Sequence, residues 1–204
     1  MNAPGVQVCG LAGKCCAGKD LVAAELEHRG WRQLAVDAIG HRALAVQHGV
    51  VVQAFGHAIL GPRNIIDRRK LGKIVFGNPK QLARLEAILH PWMRERVREQ
   101  IDAFRNRPDA TGLVINAAVL FPMQLDAMCD FVVLVRAPLR HRIRRARHRD
   151  GAGWMFILNR LRAQAGIDAQ AMSSVAETLV VENNGTHDRL KLELDRLGVF
   201  GTGT

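Results

Sequence analysis

Apolar positions along this chain follow two patterns that take turns. Short apolar runs centred on 5–11, 31–37, 113–118, 131–135 and 178–182 have the length and composition of buried strands. Between them the spacing is helical. Asp20 to Arg29 carries Leu21, Ala24 and Leu26 and stops at Gly30; Ala38 to Gln47 carries Ile39, Ala43 and Leu44. A helix is expected around Trp154 to Gln164, and Leu190, Leu194 and Leu197 mark a last one, after which Gly198 to Thr204 should fray. Five strands alternating with helices predict an α/β protein with a parallel sheet in a three-layer fold.

Residues 49–106 break this alternation. They hold no convincing strand pair and three helical stripes: Leu71, Ile74 and Val75; Leu82, Leu85, Ile88 and Leu89; and Met93, Val97, Ile101 and Phe104. Asn78-Pro79 is a good helix start, and His90-Pro91 is expected to restart a helix with His90 as its cap. The organisation expected is one domain over 1–204. Its core comprises 1–48, 109–138 and 166–198, and a helical insertion at 49–108 carries substrate.

Chemistry enters at the first strand-to-helix junction. Gly13-Lys14-Cys15-Cys16-Ala17-Gly18-Lys19 fits G-x-x-x-x-G-K between a strand and a helix, the setting of a phosphate-binding P-loop. There, backbone N–H groups and the positive end of the helix converge on a polyphosphate while the lysine reaches its outer oxygens. Where the motif has a Mg²⁺-binding hydroxyl, this chain has Asp20. A glycine-containing turn with a solvated Lys19 is the plainer alternative. Asp37, at the expected carboxyl end of the second strand, is a candidate base or substrate-orienting group, or a cap for the next helix.

Charge narrows the partners. The 204 residues carry a formal net charge of +10, and seven arginines between Arg136 and Arg149, with no acid among them, supply +7 of it. Charge gathered in one short element suits a local polyanion such as nucleotide phosphates, and no aromatic residues interleave it to stack bases. A nucleic-acid partner is therefore not expected; a solvated arginine-rich helix is the other reading. Cys9, Cys15, Cys16 and Cys129 have neither metal-ligand nor disulfide-ladder spacing. No apolar run reaches membrane-spanning length and no leader pattern opens the chain, so a cytoplasmic enzyme without a membrane partner is expected.

A wider set of residues resembles the dephospho-CoA kinase family: Phe55-Gly56; Asp67-Arg68 with Leu71-Gly72 and Ile74-Val75-Phe76; Leu85-Glu86, Ile88 and His90-Pro91; Arg160 and Gln164; and Glu182-Asn183-Asn184-Gly185. These span nearly the whole chain in the family's order. The resemblance implies a P-loop kinase fold with a helical substrate subdomain and a lid at 139–165. It also implies ATP as phosphoryl donor, Mg²⁺, and transfer of the γ-phosphate to the ribose 3′-hydroxyl of dephospho-CoA, the last step of coenzyme A synthesis. Its small-molecule substrates would be ATP and dephospho-CoA.

By the same resemblance, Gly13, Lys14, Cys15, Cys16, Ala17, Gly18, Lys19, Asp20 and Asn183 would bind ATP, and Asp20 would serve the metal. Lys19, Asp37 and two lid arginines would be catalytic. Those arginines are Arg145 and Arg149, or in another register Arg144 with His148 in the second place. Asp37, Arg68 and His90 would meet the substrate. The chain departs from the family at Asp20, at Asn116 where an acid usually ends strand three, at Ala35 where an acid usually precedes Asp37, and at Pro122, near a position that is often Glu. Asp20 could supply the carboxylate lost at Asn116. The alternatives are another small-molecule kinase of this fold, a degenerate homologue that binds nucleotide without transferring phosphate, and a non-enzymatic nucleotide- or RNA-binding protein.

Overall fold

Strand β1 (Gln7–Gly13) occupies the middle of the sheet because its side chains are apolar on both faces. Cys9 and Leu11 point one way, Val8 and Ala12 the other, and all four are buried. The structure, a computed structural model, describes residues 6–107, 111–150 and 166–200, leaving aside the side chains of 148–150 and 169. In it β1 pairs with β3 (Gly112–Asn116) and β4 (Phe131–Arg136); β2 (Arg32–Ala35) and β5 (Glu177–Glu182) complete the edges. The order is β2-β3-β1-β4-β5 and every pairing is parallel. The expected five-stranded parallel α/β sheet is present.

Eight α-helices lie among the described residues: α1 (Lys19–His28), α2 (Val36–Val46), α3 (His48–Phe55), α4 (Arg68–Val75), α5 (Pro79–Arg105), α6 (Leu139–Asp150), α7 (Ile167–Met172) and α8 (His187–Arg196). None is long and apolar enough to cross a membrane. On one face of the sheet, Cys9, Leu11, Val114, Val133, Val135 and Val181 form a single core with Val22, Ala23 and Leu26 of α1 and Leu190 and Leu194 of α8. The buried carboxylate of Glu25 joins these helices, 3.2 Å from Arg29 and 3.4 Å from His187.

Phe200 corrects the expectation of a fraying tail. It is buried, with its ring centroid 5.1 Å from Trp31 and 5.8 Å from Phe131, because an aromatic side chain after the last helix can close the open end of this core. Residues 201–204 lie outside the described residues.

The chain divides into two compact units, one of 1–35 and 101–204 and one of 36–100. The second is helical, and its one strand-like feature is the isolated bridge Leu60–Ile66. Asp67 caps α4, its Oδ1 accepting from the amides of Arg69 (2.8 Å) and Lys70 (3.3 Å), and these bonds hold its carboxyl below the usual range. Asn78 caps α5 in the same way, as its spacing predicts. The expected restart at His90-Pro91 does not occur. Pro91 sits inside one 27-residue helix, so α5 forgoes one amide bond, to the carbonyl of Ala87, and His90 caps nothing. Burial of Leu89, Met93 and Val97 on either side of the gap holds the helix together across it.

Strand β2 is also shorter than expected. It ends at Ala35, and Asp37 lies in the first turn of α2 rather than at a strand end. A carboxylate there suits the positive end of the helix.

At the start of β3, a Cβ on Gly112 would stand 2.5 Å from the ring of Trp31. Gly112→Ala should therefore cost about 1–3 kcal/mol through overpacking. A urea unfolding midpoint that falls at unchanged slope is expected, and an unmoved midpoint would contradict this packing.

Candidate active site

The junction between β1 and α1 is shaped by close approaches. Gly13 has φ +154°, and a Cβ there would be 2.6 Å from the carbonyl oxygen of Val135. Gly18, the N-cap of α1, is left-handed at φ +104°, and a Cβ would lie 2.1 Å from Nδ2 of Asn183. Only glycine fits at either end. Between them the loop turns through a left-handed Cys16, with the Ala17 amide bonded to the Lys14 carbonyl at 3.0 Å.

Three consecutive carbonyls of this loop are held from outside. Arg142 Nε donates to Cys15 O at 3.0 Å; Arg145 donates to Ala17 O at 2.9 Å and to Cys16 O at 3.4 Å; Asn183 Nδ2 donates to Ala17 O at 2.8 Å. Arg145 also donates to Asn183 Oδ1 at 3.0 Å, and the Asn183 amide is tied to Arg136 O at 2.7 Å. In a trans peptide the C=O and the following N–H point in opposite directions, so the amides of Cys16 and Gly18 face away from this brace. In α1 the intrahelical bonding begins with the amides of Leu21 and Val22, both donating to Gly18 O at 3.1 Å, and the positive end of the helix faces the loop. The result is a concave run of donors at a helix N-terminus, which is chemistry for an anion.

Lysines flank it. Lys19 Nζ donates to Gly13 O at 3.2 Å, folding back over the loop. Lys14 Nζ bonds the carboxylate of Asp168 on α7, whose other oxygen is 3.6 Å from Arg136. This hydrogen bond, with the nearby cationic charge, holds the Asp168 carboxyl below its usual range. Asp20 Oδ1 accepts from Asn116 Nδ2 at 3.2 Å, so two of the four positions at which the chain departs from the resemblance touch each other.

Beside the loop, a pocket of about 320 Å³ is lined by Lys14, Arg136, Arg142, Asp168, Glu182 and Asn184. Among the described residues, Arg142 Nη2 and Asn184 Oδ1 are buried without a hydrogen-bond partner. They leave one donor and one acceptor for a ligand or water. Burial pushes the Arg142 guanidinium below its usual value, while Cys15, Cys16 and Asp168 act the other way.

The expected ATP-binding set from Gly13 to Asp20, together with Asn183 and Arg145, is thus assembled in one unit. The side chains of His148 and Arg149, and Arg160 and Gln164 altogether, lie outside what the structure describes, as does the helix expected at 154–164. Arg144 makes no contact to the loop among the described bonds, whereas Arg142 does. Arg142 belonged to the arginine run but had no signal to separate it from its neighbours; Asp168 had none at all.

Asp37, Arg68 and His90 belong to the other unit. Asp37 is exposed, and Arg68 donates to Nε2 of His41. His90 faces a groove along α5 with Glu86, Arg94 and Arg98, and burial holds its imidazole below the usual value.

A 2-3-1-4-5 parallel sheet with a glycine-bounded anion loop after its central strand defines a P-loop kinase. The dephospho-CoA kinase family model matches residues 7–188. A dephospho-CoA kinase of Parasynechococcus marenigrum is 34% identical over 198 residues, 96% of each chain. A crystal structure from Thermus thermophilus is similar over 98% of this chain and 100% of that one, with TM-score 0.80 and 30% identity. Dephospho-CoA kinase from Campylobacter jejuni shares the fold at TM-score 0.60 and 19% identity, over 94% and 95% of the two chains. The chain belongs to the dephospho-CoA kinase family, ATP-dependent phosphotransferases.

The Lys14–Asp168 pair can be tested by pH. A carboxyl whose folded pKa is depressed stabilises the fold above its unfolded pKa of about 3.9 and ceases to as pH falls through the lower folded value. Wild type should be more stable than Asp168→Asn at pH 6, and the difference should shrink as pH drops below about 4. A difference in urea midpoint that is constant from pH 6 to pH 3 would sink the pairing.

Proposed function

We propose that the protein transfers the γ-phosphate of ATP to the ribose 3′-hydroxyl of dephospho-CoA, yielding ADP and coenzyme A, in the cytoplasm. The observation that carries this reading is the donor-lined loop between Gly13 and Gly18, braced through its carbonyls, in a chain of this family. The loop amides and Lys19 would hold the β- and γ-phosphates, and the adjacent pocket, with its unspent donor and acceptor, suits the nucleobase. Phosphoryl transfer asks mainly for positioning and charge stabilisation. Arg145 and Arg149 would neutralise charge growing on the transferred group and exclude water as the 139–165 segment closes. Asp37 would orient the ribose hydroxyl and accept its proton, with Arg68 and His90 binding dephospho-CoA in the helical segment at 49–108.

The hard oxygen of Asp20 beside the Asn116 amide fits Mg²⁺, which is held in such sites by one or two protein groups, waters and substrate phosphates. When bound, Mg²⁺ would neutralise the phosphate charge. Asp20 would take the place of the missing hydroxyl and strand-end acid, with Asn116 orienting its carboxylate.

The deciding experiment measures ADP release with ATP, Mg²⁺ and dephospho-CoA, beside controls without acceptor or with adenosine. ADP formed only with dephospho-CoA, with an equal amount of coenzyme A, is expected; equal ADP in the controls would favour another kinase or an ATPase. Lys19→Ala should reduce turnover by ~10²–10³-fold, the scale of losing one charge-stabilising donor. Asp37→Asn should keep ATP affinity and lose ~10²–10⁴-fold in rate, the range of general-base catalysis. Unimpaired turnover in Asp37→Asn would remove its role. Asp20→Ala should raise the Mg²⁺ concentration needed for half-maximal rate, and an unchanged Mg²⁺ dependence would end the carboxylate-exchange idea.

A further inference from the structure

The anion loop carries two neighbouring thiols. Cys15 Sγ and Cys16 Sγ are 3.6 Å apart, and both residues are half-buried. Arg142, which bonds the Cys15 carbonyl, is within electrostatic reach of both, and Arg145 bonds the Cys16 carbonyl, while the charge of the neighbouring Lys14 is paired with Asp168. Reactive cysteines occupy such electropositive, partly exposed settings, and an anionic oxidant is drawn to them.

The other two cysteines differ. Cys9 is fully buried, and burial pushes its thiol well above the usual value; the Cys129 thiol is pushed up to about 12, chiefly by burial. Both are held as inert thiols.

We propose that Cys15 and Cys16 form a reversible oxidation site, in which a low-molecular-weight disulfide such as oxidised glutathione converts the pair to a vicinal disulfide and abolishes ATP binding. Only the ATP clause rests on the functional reading above. In the first step one cysteine thiolate attacks a sulfur of the oxidant, whose S–S bond breaks and releases one glutathione thiolate. In the second, the neighbouring thiolate attacks the protein sulfur of that mixed disulfide and releases the other. Two protein thiols are oxidised, one disulfide is reduced to two thiols, and the cysteine protons pass to the departing thiolates.

The geometry explains why the change would be switch-like. Adjacent Cα atoms are ~3.8 Å apart, closer than the ~4.4–6.8 Å of ordinary disulfides, so the bond strains the peptide between them and is easily reduced. That peptide carries the Cys15 carbonyl held by Arg142, and the next carries the Cys16 carbonyl held by Arg145. Cys16 is the left-handed residue of the loop, at φ +59°. Closing the sulfurs turns this peptide, and the phosphate-facing amides turn with it.

The test uses the whole purified chain treated with oxidised glutathione, with and without ATP. Cleavage after Lys14 and Lys19 leaves both sulfurs in one short peptide. Its mass should fall by two hydrogens, ATP affinity should drop at least tenfold, dithiothreitol should restore both, and ATP should slow the oxidation. Cys129→Ala should keep this sensitivity. Cys16→Ser, compared with its own untreated form, should lose the hydrogen loss altogether. A Cys9–Cys129 bond, a stable single glutathione adduct, or a bridged protein that binds ATP as well as the reduced one would overturn the proposal. If the reduced protein bound no ATP, the functional reading would fail, while the peptide mass would still decide the thiol chemistry.

Discussion

The structure depends on how closely three pieces of backbone approach one another at the end of β1. Gly13 lies under the carbonyl of Val135 and Gly18 under the amide of Asn183, both at distances no side chain allows. These contacts tie the anion loop to β4 and to the turn after β5, the two segments that also carry Arg136 and Asn183. The burial of the central strands on both faces serves the same end. Apolar side chains fill both faces of β1 and β4, so the polar groups of the site can collect only where the strands stop.

The arginine-rich helix shows charge and structure acting together. Guanidinium groups of Arg142 and Arg145 are spent on loop carbonyls, which turns the opposite amides toward the anion site and places cations beside it. The same residues that neutralise a ligand's charge thus preorganise the backbone that binds it, and preorganised dipoles need no rearrangement as charge develops. Two of the seven arginines of the run are thereby placed at one anion site.

The helical unit obeys different physics. Its stability comes from capped ends and one-sided burial: Asp67 and Asn78 satisfy exposed amides, and Leu89, Met93 and Val97 keep α5 continuous past Pro91. A local helix-breaking signal lost to packing spread over several turns, because one missing amide bond is a small defect in a long buried stripe. The expected break at His90-Pro91 was an inference from local propensity, and local propensity is the weaker force there.

The sequence by itself determined the parallel α/β architecture, the loop from Gly13 to Lys19, the caps at Asn78 and the family, because periodicity, glycine spacing and ordered motifs are properties of neighbouring residues. Tertiary structure alone decided which arginines of the run meet the loop, that Asp168 pairs with Lys14, that Asn116 bonds Asp20 and that Phe200 seals the core. Each of those contacts joins residues more than ninety positions apart, save for Phe200, which is nearer to Phe131. No local pattern encodes them. They follow from the register of the sheet, which sets which strand end stands beside which loop.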